Sequence, residues 1–478
     1  MQFNDPVKRF SKNICEIYKK YRRSLIMFVF SKNNSDSIMS NQTVTMNVPT
    51  KQAGYAQSMA IIGILFFVFG FVTWLNGTLI QFFQIVCQLN VSQALLVTMA
   101  FYMAYFFLSI PSSFILSKTG FKNGMALGLL IIAVGSLVFI PAANARSFAM
   151  FLTGLFIQGA GLSLLQTASN PYASIIGPKE SAAKRISILG ICNKSAGALA
   201  PLILSSIVLK GAEQLEKDIN AAVDVAQKNA LLDSLASRVI GPYVAIAIVL
   251  AILAFLLKRS TLPEIDTNTE DETTSKATNG KTSVFQFPQL TLGVLCIFVY
   301  VGVEVMAGDV IGQYGKALGM SVDDTKYFTT FTLIAMLVGY VIGIATIPKL
   351  ITGKKGLQIS AVLGVLFTIA AYATSGFSSV TFIALLGLAN ALMWPAIFPM
   401  AIDGLGRFTK IGSALLIMGI AGGGVIPQIY SGMFDKHSIF NFLYSANIDF
   451  KHAFLYCMVP CYLYILFYSI VGDRLGKK

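Results

Sequence analysis

Apolar residues run in blocks of about twenty, and the short stretches between them hold nearly all of the charge. The blocks lie near 57 to 80, 92 to 116, 123 to 143, 147 to 170, 187 to 209 and 241 to 257, and again near 288 to 312, 326 to 348, 356 to 376, 379 to 402, 411 to 433 and 452 to 472. At 1.5 Å per residue, each is long enough to cross a hydrocarbon layer about 30 Å thick as a helix. The pattern predicts an all-α membrane protein: twelve transmembrane helices in two six-helix bundles. The division falls at Lys258 to Lys281, where TNTEDETTSKATNGK has too few apolar residues to pack a core. The expected organisation is a tail over 1–56, a first bundle over 57–257, a linker over 258–286 and a second bundle over 287–478.

Two shorter pieces complete the map. Between the fifth and sixth blocks, Leu215, Ile219, Leu232 and Leu235 recur at roughly helical spacing among mixed charges, which predicts a small amphipathic cap. Met1 to Lys51 is basic and irregular, and its one apolar run, LIMFVF, is too short to span a bilayer and has no small-residue cleavage site after it. It reads either as a basic tail on the membrane surface or as an extension ahead of an initiator at Met39 or Met46.

Composition agrees with the pattern. The chain of 478 residues is 55% hydrophobic and 12% charged, against about 25% charged in soluble domains. Its net charge of +14 would suggest nucleic acid in a soluble protein, but here it follows the loops. Lys and Arg number 26 on the side that holds both termini and the linker and nine on the other, with Lys194 alone inside a span. That asymmetry places the termini in the cytoplasm and excludes a nucleic-acid partner. The six cysteines form no CxxC pair, and the two histidines, His437 and His452, share one polar connection. Neither a metal site nor a nucleophile with its base is indicated, so the chain is not expected to be an enzyme and no cofactor is implied. A sensor would carry a soluble output domain, and the longest polar stretches here are a tail and a linker.

The halves look duplicated. An offset of 226 residues brings Lys184 onto Lys410, Ser187 onto Ser413, Gly197 onto Gly423 and Pro201 onto Pro427, which sets the fifth and eleventh helices in register. Two parallel six-helix repeats suit a rocker around a midplane cavity. Four segments then carry a resemblance: GFVTWLNGTLI (Gly70 to Ile80), LLQTASNPYASIIGPKESAAKRISILGICNKSAGALAP (Leu164 to Pro201), YVGVEVMAGDVI (Tyr300 to Ile311) and NALMWPAIFPMAI (Asn390 to Ile402). Over about 57 to 475 the chain resembles the sugar permeases of the major facilitator superfamily, most of all the fucose and glucose/galactose permeases. The superfamily loop after the second helix survives as SKTGFKNG (Ser117 to Gly124), with Ser117 where its acid usually stands.

The resemblance implies a hexose symporter in the inner membrane, acting as a monomer, and directs attention to particular residues. A sugar needs amides for its hydroxyls and an aromatic ring for its C–H face. Gln166 and Asn170 are four apart just before Pro171, and Asn193 sits midway along the fifth helix. Asn390 and Trp394 are likewise four apart, followed by Pro395, and Trp394 is the expected stacking residue. Trp74 is its rival, although its place near one end of the first helix equally fits an interfacial aromatic. Lys194, Glu304 and Asp309 are ionisable residues inside spans, together about 9 kcal/mol at the bilayer centre on insertion scales. Glu304 is expected to bind sugar hydroxyls or the coupling cation, with Asp309 nearer the outer gate. An ion pair between Lys194 and one of the two acids that only fixes helix packing is the alternative. Lys118, Lys122 and Asp403 are the expected gating residues.

The sequence departs from the proton-coupled fucose permeases at two positions. Their first-helix acid is replaced by Gly77 and their fourth-helix acid by Gln166, and no Asp or Glu occurs between Lys51 and Lys179. A coupling carboxylate must therefore come from the second half. The coupling ion is Na+ or H+, with a Na+ site expected near Glu304. A proton-coupled importer of L-fucose or another deoxysugar is the alternative to glucose and galactose.

Overall fold

The computed structural model describes residues 52–175, 182–222, 224–263, 282–347, 350–405, 408–472 and 475, and residues 51–478 form one compact unit. The readings made of residues 1–51 and of most of the linker lie outside the described residues. Among those described, eleven segments are long and apolar enough to cross a membrane, but one of them, Val91–Asn144, is 54 residues long. As a straight helix it would measure about 80 Å, more than twice a hydrocarbon core. Gly120, at φ 76° and ψ 172°, breaks it where a residue with a Cβ would be strained. The segment therefore crosses twice, and there are twelve crossings.

We number them α1 (Gln52–Thr73, continued by Asn76–Val86), α2 (91–119), α3 (121–144), α4 (Phe148–Ile175), α5 (Ala182–Val208), α6 (Ile240–Arg259), α7 (Pro288–Gly308, continued by Ile311–Ala317), α8 (Phe328–Thr346), α9 (Gly353–Ala373), α10 (Gly376–Asn390, continued by Met393–Ile402), α11 (Thr409–Met418 and Gly422–Phe434) and α12 (Phe450–Phe467). The packing repeats between the halves. Helix α1 lies on α5 as α7 lies on α11, α4 lies against α2 and α3 as α10 lies against α8 and α9, and α12 lies on α9. At one end of the first half, Phe139 and Tyr243 join α3 to α6 by stacking at 3.8 Å between centroids. The halves meet through α5 with α8 and α2 with α11.

Close approach of backbones explains how the equivalent pairs pack. A Cβ on Gly70 would collide with the carbonyl of Asn193, and one on Gly422 with the carbonyl of Phe298. Glycine thus lets α1 reach α5 and α11 reach α7 at backbone distance, as small residues do in membrane bundles. Long aliphatic side chains such as Ile252, Leu256, Val341 and Leu366 point outward and remain more than half exposed, which is the surface a lipid solvent requires.

The segment between α5 and α6 forms two helices, Ala212–Ala221 and Val225–Ser237, with Ile219, Leu232 and Leu235 buried and Leu215 half-buried. Asp224 caps the second by accepting from the N–H groups of Ala226 and Gln227. Arg146, just past α3, reaches Asp233 at 2.6 Å and Asn229 at 2.9 Å.

Replacing Gly422 with Ala is expected to lower the stability of the purified protein by about 1–3 kcal/mol, because α11 must move off α7. Gly353→Ala, where a Cβ would meet nothing within 4 Å, is the control. Thermal unfolding of both in detergent checks this: equal midpoints would show that the α7–α11 contact has slack.

Candidate functional site

Several helices are interrupted midway, and the interruptions gather around one cavity. In α10, Pro395 has no N–H to give the carbonyl of Ala391 and its ring crowds that group, so the helix breaks at 391–392 and restarts at Met393. In α7, the N–H groups of Asp309 and Val310 both turn to the carbonyl of Val305, at 2.7 and 3.2 Å, which inserts a wide turn. The carbonyls that this turn loosens are met from α8: Thr332 donates to Ala307 at 2.7 Å and Thr329 to Gly308 at 2.8 Å. Helix α1 is interrupted at Trp74–Leu75.

The cavity, about 100 Å³, is lined from both halves. From the first come Trp74, Tyr105, Gln166, Asn170, Asn193 and Lys194, and from the second Tyr300, Glu304, Tyr340 and Trp394. Its floor of charge is an ion pair between the halves: Lys194 Nζ lies 2.7 Å from Glu304 Oε1, with side chains 9% and 10% exposed. Tyr300, one turn before Glu304, donates its hydroxyl to the same oxygen at 3.0 Å. The Lys194 ammonium also lies 4.5 Å from the centroid of the Trp74 ring, a cation–π contact. Trp74 itself fits a slot between α5 and α7, since a Cβ on Gly197 or Gly308 would strike its ring.

The amides are held by the frame that surrounds them. Gln166 donates to the Tyr105 hydroxyl at 2.7 Å, and Asn193 donates to the carbonyl of Phe66 at 3.3 Å. Both are only 7% exposed. Trp394 is half-buried, stacked on Phe398 at 5.6 Å and tilted against Tyr300 at 6.4 Å. An arrangement of fixed amides, hydroxyls and two indole rings can exchange hydrogen bonds with a small polyol and cover its C–H face.

The residues singled out from sequence divide. Gln166, Asn170, Asn193, Lys194, Glu304 and Trp394 come together on the cavity. Asn390 does not: it is fully buried off the cavity, where its side-chain oxygen accepts from the Tyr462 hydroxyl of α12 at 2.9 Å. The four-residue spacing from Trp394 misled because the Pro395 break lies between them. Trp74 is not an interfacial aromatic either, being 2% exposed and on the cavity wall. Asp309 is off the cavity as well, 1% exposed and bonded to the N–H of Gly77 at 3.1 Å.

The expected gating residues sit near the chain's own end of the bundle. Lys122 donates to the carbonyl of Ser260 at 2.6 Å within the first half. Lys118 and Asp403 are exposed, and the Asp403 carbonyl accepts from Gln289 at 3.2 Å within the second half. At the opposite end the halves are tied directly. Gln81 donates to the Thr325 carbonyl, Gln84 accepts from Gln313 and Lys316, Ser205 donates to the Lys326 carbonyl, and Gln428 donates to the Ser92 carbonyl. His452 stands at that end too, bonded to Tyr372 at 2.8 Å and to Asp449. Burial works against the Asp449 charge, but the bonds from His452 hold its carboxyl below the usual range.

Sequence reasoning missed the tyrosines. Tyr102, Tyr105, Tyr300 and Tyr340 all line the cavity, and among 18 tyrosines only the i, i+4 spacing of Tyr300 and Glu304 offered a signal.

Comparison with known proteins places this architecture. The Major Facilitator Superfamily profile matches residues 62–427. A protein of Brucella abortus named glucose/galactose transporter is 31% identical over 428 residues, 89% of this chain and 96% of its own length. The L-fucose-proton symporter of Escherichia coli K12 is 27% identical, over 82% of this chain and 91% of its own. The crystal structure of a Major Facilitator Superfamily transporter, FucP, in the outward conformation superposes with a TM-score of 0.69 at 26% identity, covering 88% of this chain and 99% of that one. Fold, cavity and sequence agree that this chain is a multi-pass membrane protein belonging to the major facilitator superfamily, in the group of sugar permeases that holds these glucose/galactose and fucose transporters.

Proposed function

We propose that the protein imports a hexose, glucose or galactose, together with a cation by alternating access. The observation that carries this is the cavity midway between the halves, where three amides, two tryptophans and a buried ion pair converge. The Brucella relative named glucose/galactose transporter supports the choice of sugar, and the loop charges, 26 against nine, support an inner membrane with both termini in the cytoplasm. A cavity enclosed by one chain supports a monomer as the functional unit. The alternative, import of L-fucose with a proton, draws on the Escherichia coli relative.

On this reading the end tied by Gln81, Gln84, Ser205 and Gln428 is the outer gate, drawn shut. The cavity of about 100 Å³ is smaller than the ~150 Å³ that accepts benzene, so a pyranose enters only when the halves part. Gln166, Asn170 and Asn193 then bind hydroxyls and Trp394 covers the apolar face. Glu304 is the hinge of the charge network. A sugar hydroxyl or a cation that competes for its carboxylate loosens Lys194, and with it the contact between α5 and α7. A cation that enters with the sugar gains about 2.3 kcal/mol per 100 mV, roughly fiftyfold accumulation.

Uptake of radiolabelled glucose into proteoliposomes at fixed membrane potential tests the reading, with sodium and proton gradients imposed separately. Gradient-dependent uptake that unlabelled galactose blocks is expected. Uptake blocked by fucose but not by galactose would transfer the assignment to the alternative, and no uptake of either sugar would overturn both. In the same assay Gln166→Ala and Trp394→Ala should each raise the half-saturating sugar concentration about tenfold, the ~1.4 kcal/mol of one good contact, while Asn390→Ala should leave it unchanged.

The ion pair makes a separate prediction. Removing one partner strands the other charge, so Lys194→Ala and Glu304→Ala should each cost about 3–5 kcal/mol of stability. The double variant should cost clearly less than the sum of the two. A denaturation cycle in detergent that proved additive would show the pair to be energetically uncoupled.

A further inference from the structure

The cap between α5 and α6 touches both halves of the molecule. Gly211, at φ 64° and ψ 26°, turns the chain out of α5 in a conformation that suits a residue without a Cβ. The second cap helix, Val225–Ser237, is fastened to the first half. It packs on the outer piece of α1 and on 139–144, with Leu232 and Leu235 buried, and Arg146 holds it through Asp233 and Asn229. Arg238, just past its end, donates to the Lys210 carbonyl at 2.6 Å. The first cap helix, Ala212–Ala221, reaches the other half. It lies on the turn Val322–Thr325, and Ile219, Val322 and Thr325 are all buried.

The charges on these two facing pieces are mostly satisfied locally. On the cap helix, Lys217 pairs with Glu213 at 2.9 Å and Gln214 donates to Asp218 at 2.8 Å. On the second half, Lys326 pairs with Asp323 at 2.5 Å, and Asp324 accepts from the Ser321 hydroxyl at 2.8 Å. Glu216 and Lys316 remain. The Glu216 carboxylate is half-buried and accepts no hydrogen bond among the described residues, and it is the acid whose field acts on Lys316. Lys316, also half-buried at the end of α7, donates to Gln84 of α1 at 3.1 Å. One cation of the second half thus faces two elements of the first, α1 and the cap. Its attraction to Glu216 is modest at so wet a site, but it operates only while the halves meet.

We propose that the helix Ala212–Ala221 is a strap that the first half lays across the second when the outer end shuts, and that Glu216 and Lys316 are its latch. For that end to open, the strap must lift off 316–325. The latch therefore biases the protein towards the state whose outer end is closed. The inference rests on the alternating-access reading for the opening itself, and it adds to that reading a charge contact outside the sugar cavity.

Hydrogen–deuterium exchange of the reconstituted protein at pH 7 tests the strap without any sugar. Glu216→Lys sets two cations against each other. It should speed amide exchange about threefold at 212–221, at 316–326 and at 76–86 together, the factor that an exposed ion pair is worth. Lys316→Glu should do the same. The exchanged pair, Glu216→Lys with Lys316→Glu, should return all three segments to within about twofold of wild type, because a carboxylate at 316 can still accept from the Gln84 amide. Glu213→Lys, which breaks a pair inside the cap helix, is the control and should leave 316–326 unchanged. Faster exchange confined to the cap in Glu216→Lys, no recovery in the double variant, or equal loosening of 316–326 by Glu213→Lys would overturn the latch. The expected pattern in a protein that moves no hexose would leave the strap standing and remove the sugar assignment. Hexose uptake with none of these exchange differences would remove the strap and leave the transport reading.

Discussion

The Lys194–Glu304 ion pair is the constraint around which the middle of this protein is arranged. Two opposite charges on different halves, each about nine-tenths buried, can stay in a membrane interior only in contact or in water. Their contact ties α5 to α7 across the halves, and the neighbouring side chains keep both groups satisfied. Tyr300 gives Glu304 a second hydrogen bond, Trp74 offers its ring face to the ammonium, and the glycines at 197 and 308 make the slot that holds Trp74. The same pair links the halves directly, so losing either charge would strand the other in the interior.

Broken helices serve this arrangement. A continuous α7 would have no loosened carbonyls for Thr329 and Thr332, and a continuous α10 would not need Pro395 in its second piece. The breaks in α1 and α10 adjoin the cavity-lining Trp74 and Trp394, and that in α7 is buried between the halves, so the irregular backbone is satisfied by protein neighbours instead of lipid. The corresponding helix pairs of the two halves meet through glycine, Gly70 of α1 against α5 and Gly422 of α11 against α7. Rigid bundles with adaptable centres are what a rocking motion requires.

Much of this could be read from residue order, and the remainder could not for definite reasons. The apolar blocks gave helix number because hydrocarbon thickness sets their length. The 226-residue offset was visible because close helix approach demands glycine at matching places. Gln166, Asn193, Lys194 and Glu304 stood out because polar residues in spans are expensive. Asn390 was misplaced because the proline break changes the helix phase between it and Trp394, and Trp74 because position along a helix does not tell whether a ring faces lipid or a neighbouring helix. The tyrosines went unseen because an aromatic residue in a membrane helix is ordinary until its hydroxyl finds a partner.

Gly77 shows how a departure in sequence becomes a statement about mechanism. Without an acid anywhere from Gln52 to Pro178, a carboxyl facing the first half has to be supplied by the second. Asp309 meets that condition: its oxygen lies beside the point where a side chain at position 77 would begin. The residue that lacks a side chain and the residue that reaches across are therefore two halves of one feature. A side chain at position 77 would run into Thr329 and Asp309 and press α1 away from α7 and α8. The carboxyl is consequently held where the two halves approach each other, by direct contact with no intervening chain of residues.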